Sequence, residues 1–245
     1  MTLDGKVALV TGGSRGIGAA TAIRLAADGA DIVLTYQHNE KLAAAVVDRV
    51  KELGRRALAI RADSGDAAAV VAAVETTIGE FGRLDILVNN VGVGVIAPID
   101  QIQLEDVDRV LGVNVRGTFL VTQAAAPHLG EGGRVITIGS CVSDRVPGPG
   151  MTLYAVSKTA MVGLTKALAR ELGGRGVTVN LVQPGPTDTD MNPADGPYAA
   201  DQRSLTVSDR YAEPAEIADT VAFLAGDQAR YITGTSISVD GGHAA

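Results

Sequence analysis

Short apolar runs alternate along this chain with longer stretches in which apolar residues recur every three or four positions. The runs predict strands at 6–10, 31–36, 57–62, 84–89, 134–139, 177–182 and 236–239. Most are continuously apolar, as strands covered on both faces must be. The longer stretches predict helices at 19–27, 40–53, 66–80, 103–127, 152–173 and 214–225. Alternation of this kind predicts an α/β fold, a doubly wound parallel sheet of seven strands with right-handed crossovers and helices on both faces. Ligands of such sheets bind beyond the carboxyl ends of the strands. Gly12, Asp63, Asn90, Ser140 and Pro184 all fall just past predicted strand ends. The fold would therefore gather these scattered residues along one edge.

Composition narrows the picture. The 245 residues contain no Pro/Ser-rich or charge-rich linker and no internal repeat, so one domain spanning 1–245 is expected. Hydrophobic residues make up 46%, but aromatics only 3% and there is no tryptophan, so Val, Ile, Leu and Ala must fill the core. A net charge of −7 argues against nucleic-acid binding, which needs a basic face. The one cysteine, Cys141, excludes an internal disulfide and is expected to be a small buried apolar residue in a reducing compartment. No apolar run approaches the ~18 residues that span a bilayer. The start, Met1-Thr2-Leu3-Asp4, lacks the basic and apolar regions of a signal peptide. A cytoplasmic protein with no membrane partner is expected.

Two patterns carry chemistry. The first is Thr11-Gly12-Gly13-Ser14-Arg15-Gly16-Ile17-Gly18, between the first strand and an Ala-rich helix. Strand, glycine loop and helix in that order are the context of a dinucleotide fingerprint. Gly12 permits the tight turn, Gly16 lets the backbone approach a pyrophosphate, and Gly18 lets helix and strand pack closely. The pyrophosphate would sit at the helix N-terminus, where free N–H groups and the dipole favour negative charge. At the end of the second strand an NAD site usually places a carboxylate for the ribose hydroxyl. Here Tyr36-Gln37-His38-Asn39 offers none before Glu40, and Arg15 is available to a 2′-phosphate. Both facts favour NADP. His38 reads as a surface histidine.

The second pattern is Tyr154 and Lys158, with Ser140 fourteen positions before the tyrosine. Residues four apart on a helix share a face, with Cβ atoms roughly 5–6 Å apart. A free phenol titrates near ~10, and bringing it to ~7 takes about 4 kcal/mol of differential stabilisation. A neighbouring ammonium could supply much of that, making Tyr154 a general acid/base for an alcohol or carbonyl oxygen.

Together these residues resemble the short-chain dehydrogenase/reductase family, and the resemblance runs nearly end to end. Thr11 to Gly18 is similar to the family's glycine loop. Asn89-Asn90-Val91-Gly92 is similar to its Asn-Asn-Ala-Gly motif, with Val91 adding bulk. Val113-Asn114-Val115 is similar to the segment holding its catalytic asparagine, and Ile232-Thr233-Gly234 with Val239-Asp240-Gly241-Gly242 to its usual ending. The resemblance implies a single-domain Rossmann fold. It also implies Asn114, Ser140, Tyr154 and Lys158 as catalytic residues. Tyr154 would exchange the proton. Lys158 would depress its pKa and bind the nicotinamide ribose, and Ser140 would hold the substrate oxygen. Asn114 would shape its helix and hold a water beside Lys158.

Cofactor contacts are implied at Gly12, Ser14, Arg15, Gly16, Ile17, Gly18, Tyr36, Asp63 (to the adenine), Asn90, Tyr154, Lys158, Pro184, Gly185, Thr187 and Thr189. No metal site is expected. The loop from Cys141 to Leu153 is one residue longer than the family's usual loop, so strict spacing would select Cys141. Ser140 is preferred because Ile138-Gly139-Ser140 aligns with the strand end, and a loop absorbs an insertion.

The segment Thr187 to Glu213 is long and polar for a connection within a domain. It is expected to be a lid that closes over the nicotinamide end and touches substrate. The leading reading is an NADP-dependent carbonyl reductase for a small-molecule ketone or a 3-oxoacyl thioester, in the manner of bacterial 3-oxoacyl-ACP reductases. For an acidic carrier protein Arg175 could serve, but Gly130-Glu131-Gly132-Gly133 puts an acid where a base would help. The alternative is a nucleotide-binding regulator, because Val182 to Pro193 resembles a subgroup that includes a cyclic-di-GMP-binding protein of biofilm dispersal. Family resemblance also implies a homotetramer built on the helices at 103–127 and 152–173.

Overall fold

A computed structural model describes residues 3–245. Its sheet is parallel throughout, in the order β3-β2-β1-β4-β5-β6-β7. The strands are β1 (Val7–Val10), β2 (Asp31–Tyr36), β3 (Ala57–Arg61), β4 (Ile86–Asn89), β5 (Arg134–Ile138), β6 (Thr178–Pro184) and β7 (Ser236–Val239). The helices are α1 (Gly16–Ala27), α2 (Glu40–Glu52), α3 (Ala67–Phe81), α4 (Leu104–Leu111), α5 (Thr118–Ala125), α6 (Thr152–Leu172), α7 (Ala199–Ser204) and α8 (Pro214–Ala225).

The side-chain alternation of the strands sorts the core into two layers. Ala8, Val10, Ile32, Leu34, Ile86, Val88 and Ile136 point to one face, where α1, α2 and α8 bring Leu25, Val46, Val50, Ile217 and Leu224. Leu9, Val33, Leu87, Val135 and Val179 point to the other, against Val70 and Val74 of α3, Val121 and Ala125 of α5, and Leu172 of α6. Small and branched aliphatic residues fill both layers, as the scarcity of aromatics requires. Strand order reverses direction between β1 and β4, and the crevice at such a switch point is where these sheets take ligands.

Two predicted elements differ from those observed. The helix expected at 103–127 is α4 and α5 joined by a π-helical turn, Gly112–Gly117, and closed by a 3-10 turn, Ala126–His128. The cause is local. Asn114 turns inward to exchange two hydrogen bonds with the Val93 backbone, at 2.8 Å each, and Gly117 packs on the Ser64 carbonyl where no Cβ would fit. Inserted turns of this kind cluster at functional sites. The second difference is β6, which runs two residues further than expected, so Pro184 is the last residue of the strand, paired with Val239.

Candidate functional site

The carboxyl ends of the strands carry the site. The glycine loop leaves β1 and turns at Gly12, whose φ of +63° favours glycine. A Cβ there would lie 2.7 Å from Val91. Gly18 sits so close to the Gly12 carbonyl that no side chain would fit, which lets α1 start directly over the loop. Asn90 fastens the loop to β4, donating at 3.0 Å to the carbonyls of both Thr11 and Gly12. Ser14 is half-buried, and Ile17 and Tyr36 pack on the core beneath. Asp63 caps its own turn by accepting from Gly65 N at 2.8 Å, and Arg116 donates to the Gly65 carbonyl at 3.2 Å. No carboxylate stands at the end of β2 before Glu40.

Arg15 is exposed and pairs with Asp190 at 3.1 Å. The adjacent Thr189 methyl lies 3.2 Å from where a Cβ on Gly16 would be. The segment after β6 thus rests on the glycine loop. Thr187 is buried, donates to the Gly185 carbonyl at 3.0 Å and pairs with Ala212. Gly185 lies against the Asp240 backbone at 2.6 Å from its virtual Cβ, beside the C-terminal turn. Pro186, Arg210, Glu216 and Asp240 line a neighbouring cavity of about 300 Å³.

Four catalytic candidates converge at the ends of β4 and β5. Ser140 follows β5; its hydroxyl oxygen accepts from Val142 N at 3.3 Å, and its side chain is near enough to the Tyr154 phenol, in the first turn of α6, to oppose the rise in that phenol's pKa. Cys141 instead points inward, is buried, and has its thiol pushed up to about 11 by that burial. Both side chains lie near the Tyr154 phenol. Lys158 is also buried and donates to the Ile138 carbonyl at 3.1 Å. Asn114 donates to the buried Ser157 hydroxyl at 2.9 Å, which in turn donates to the Tyr154 carbonyl at 2.8 Å. Gly94 lets the chain pass within van der Waals distance of the Tyr154 ring.

One expectation is overturned. Lys158 does not bring the Tyr154 phenol below its ordinary value here. Burial raises the phenol, and the nearby Ser140 side chain pulls the other way more weakly. The Lys158 ammonium lies 5.9 Å from the ring centroid, and its own pKa is lowered to about 8 by burial. Removal from water acts on both groups and favours the neutral form of each. Arg175 is also not free for a carrier protein, since it donates to the carbonyls of Ala126 and Leu129 at the end of α5.

Ser157, the Val93 backbone and Asp190 were not singled out from the sequence. Ser157 could have been, because a serine three residues after Tyr154 shares its helix face. Nothing in the sequence marks Val93, or a pairing 175 residues apart between Arg15 and Asp190.

The family described as "Enoyl-(Acyl carrier protein) reductase" matches residues 12–244. The chain is 42% identical to the cyclic-di-GMP-binding biofilm dispersal mediator protein of Escherichia coli, over 97% of this chain and 96% of that one. It is 39% identical to the 3-oxoacyl-acyl-carrier-protein reductase of Staphylococcus aureus, over 97% of each. Among solved structures, a short chain dehydrogenase from Burkholderia cenocepacia in complex with NADP is 54% identical, with a TM-score of 0.99 over the full length of both chains. The chain belongs to the short-chain dehydrogenase/reductase family, and its fold is the Rossmann fold expected from the sequence.

Proposed function

We propose that this protein is an NADP(H)-dependent carbonyl reductase. The observation that carries the reading is the approach of the Ser140 side chain to the Tyr154 phenol, with buried Lys158 one helical turn on, at the same sheet edge as the glycine loop. The loop, the Arg15 cation and the carboxylate-free end of β2 fit a phosphorylated dinucleotide, as does the NADP complex of the Burkholderia relative. Gly12, Ser14, Arg15, Gly16, Ile17 and Gly18 would hold its phosphates. Tyr36 and Asp63 would line the adenosine end, and Asn90, Pro184, Gly185, Thr187 and Thr189 the nicotinamide end. When bound, the cofactor supplies hydride.

The chain's own residues handle the oxygen. Ser140 donates to the substrate carbonyl and stabilises the charge that builds on it. Tyr154, held protonated by burial, gives that oxygen its proton and leaves an alcohol. The Lys158 ammonium, one helical turn on, would offset part of the cost that burial puts on the phenolate left behind. Asn114, through Ser157, fixes the backbone of the helical turn that carries Tyr154. Residues 187–213 would act as a lid.

The Escherichia coli relative favours a second reading, a regulator that binds cyclic di-GMP. Nothing in binding alone calls for Ser140, Tyr154 and Lys158 to meet. NADPH oxidation across ketones, diketones and 3-oxoacyl thioesters, with cyclic di-GMP binding measured on the same preparation, separates the two. Turnover of a carbonyl supports the reductase; tight dinucleotide binding with no turnover supports the regulator.

The proposed setting is cytoplasmic. Among the described residues no helix is long and apolar enough to cross a membrane. A homotetramer is the proposed assembly, supported by an apolar groove of about 610 Å³ on the outer face of α4 and α5, lined by Leu111, Val115, Phe119 and Leu120.

A further inference from the structure

Three segments leave the carboxyl ends of β4, β5 and β6, the edge that carries Ser140 and Tyr154: residues 90–103, 139–151 and 185–213. The first two meet beside Tyr154. A Cβ built on Gly94 would lie 3.3 Å from its ring, Ala97 N donates to the Gly150 carbonyl at 3.0 Å, and Ile96 lies 3.3 Å from where a Cβ on Gly150 would be. These segments display Ile96, Ile99, Val146, Met191, Tyr198 and Val207, from 51% exposed at Val146 to 80% at Val207. They are six of the twelve large apolar side chains that stand exposed among the described residues. Concentration of exposed apolar surface at one edge marks a binding surface.

The charge on the same segments is the second observation. They carry eight carboxylates and three guanidiniums, with no lysine. Two of the guanidiniums are engaged: Arg210 donates to both oxygens of Glu216 at 2.7 Å, and Arg145 donates to the His243 carbonyl at 2.8 Å. A mouth of this sign disfavours anions, and the nearby cations are engaged, Arg15 by Asp190 at 3.1 Å and Lys158 by the Ile138 carbonyl at 3.1 Å.

We propose that the substrate is an uncharged, predominantly apolar small ketone, and that anionic carbonyl compounds, including acyl groups on an acidic carrier protein, are excluded. This rests on the carbonyl-reductase reading and assigns the substrate class for that site. Apolar rim residues dehydrate the ring or alkyl body, while Ser140 and Tyr154 recognise the carbonyl oxygen.

The test is a matched pair of aryl methyl ketones, identical except for a para carboxylate, assayed by NADPH oxidation at low and at high salt. The expected result is a kcat/KM at least ~10-fold higher for the neutral ketone, since a pocket that leaves a charge unpaired discriminates strongly. Added salt should narrow the gap, because it screens the acidic rim. Ile96→Ser should lower kcat/KM for the neutral ketone severalfold and Ile96→Leu restore it, with NADPH affinity by fluorescence unchanged in both. Equal or faster turnover of the carboxylate overturns the substrate class and leaves the reductase reading standing. Failure to reduce either compound, or any other carbonyl, while NADPH binds overturns the reductase reading itself.

Discussion

Lys158 carries an electrostatic cost that can be read in stability. Its amine is buried, with its pKa brought from 10.5 to about 8, while in the unfolded chain it keeps its ordinary value. Between those values the unfolded state binds the extra proton, so stability rises with pH across that window and is lowest below it. The penalty at neutral pH is on the order of 3 kcal/mol. Lys158→Met should therefore raise the thermal midpoint at pH 7, and its advantage should shrink as pH climbs from 8 towards 10. A constant difference across that range would show that the amine is not desolvated in the fold. Tyr154, Lys158, Ser140 and Asn114 were legible in the sequence because each is a chemically distinctive residue at a recognisable spacing. The direction of the Tyr154 shift was not legible, because it depends on burial, and burial belongs to tertiary structure.

At the level of loops and helices, the joint between the glycine loop and residues 187–213 is the most testable feature. Asp190 occupies the cation that a 2′-phosphate would need. Both partners are exposed, and such pairs are worth ~0.2–1 kcal/mol. Asp190→Asn should therefore tighten NADPH binding by up to about fivefold and leave NADH affinity unaltered, as read by titration calorimetry. Equal effects on both cofactors would mean that Arg15 does not face the phosphate. If the segment is a lid, NADPH should slow its proteolysis; unchanged cleavage removes that role. The sequence marked this stretch as long and polar but did not disclose α7 or the Thr187–Ala212 pairing inside it. The Thr187–Ala212 bridge depends on a partner distant along the chain. The π-helical turn at Asn114 escaped for the same reason. The apolar periodicity of 103–127 is helical throughout, and only the Val93 backbone reveals why the helix opens.

For the molecule as a whole, the seven strands and their parallel pairing followed from apolar runs spaced by helical stretches, and the structure moved their ends by only a residue or two. Strand order was not written in any local pattern; it emerges from which faces the helices cover. Assembly is a separate question. If the apolar groove on α4 and α5 joins subunits, light scattering should give a tetramer mass and Phe119→Glu a smaller species, while an unchanged mass would free that face. The central claim is that a phenol polarised by Ser140 passes a proton to a carbonyl oxygen beside an NADP(H) site. Its most direct test is Tyr154→Phe, with NADPH affinity and ketone-dependent NADPH oxidation measured on the same sample. The account predicts that NADPH still binds while the rate falls ~100-fold or more; oxidation at the wild-type rate would contradict it.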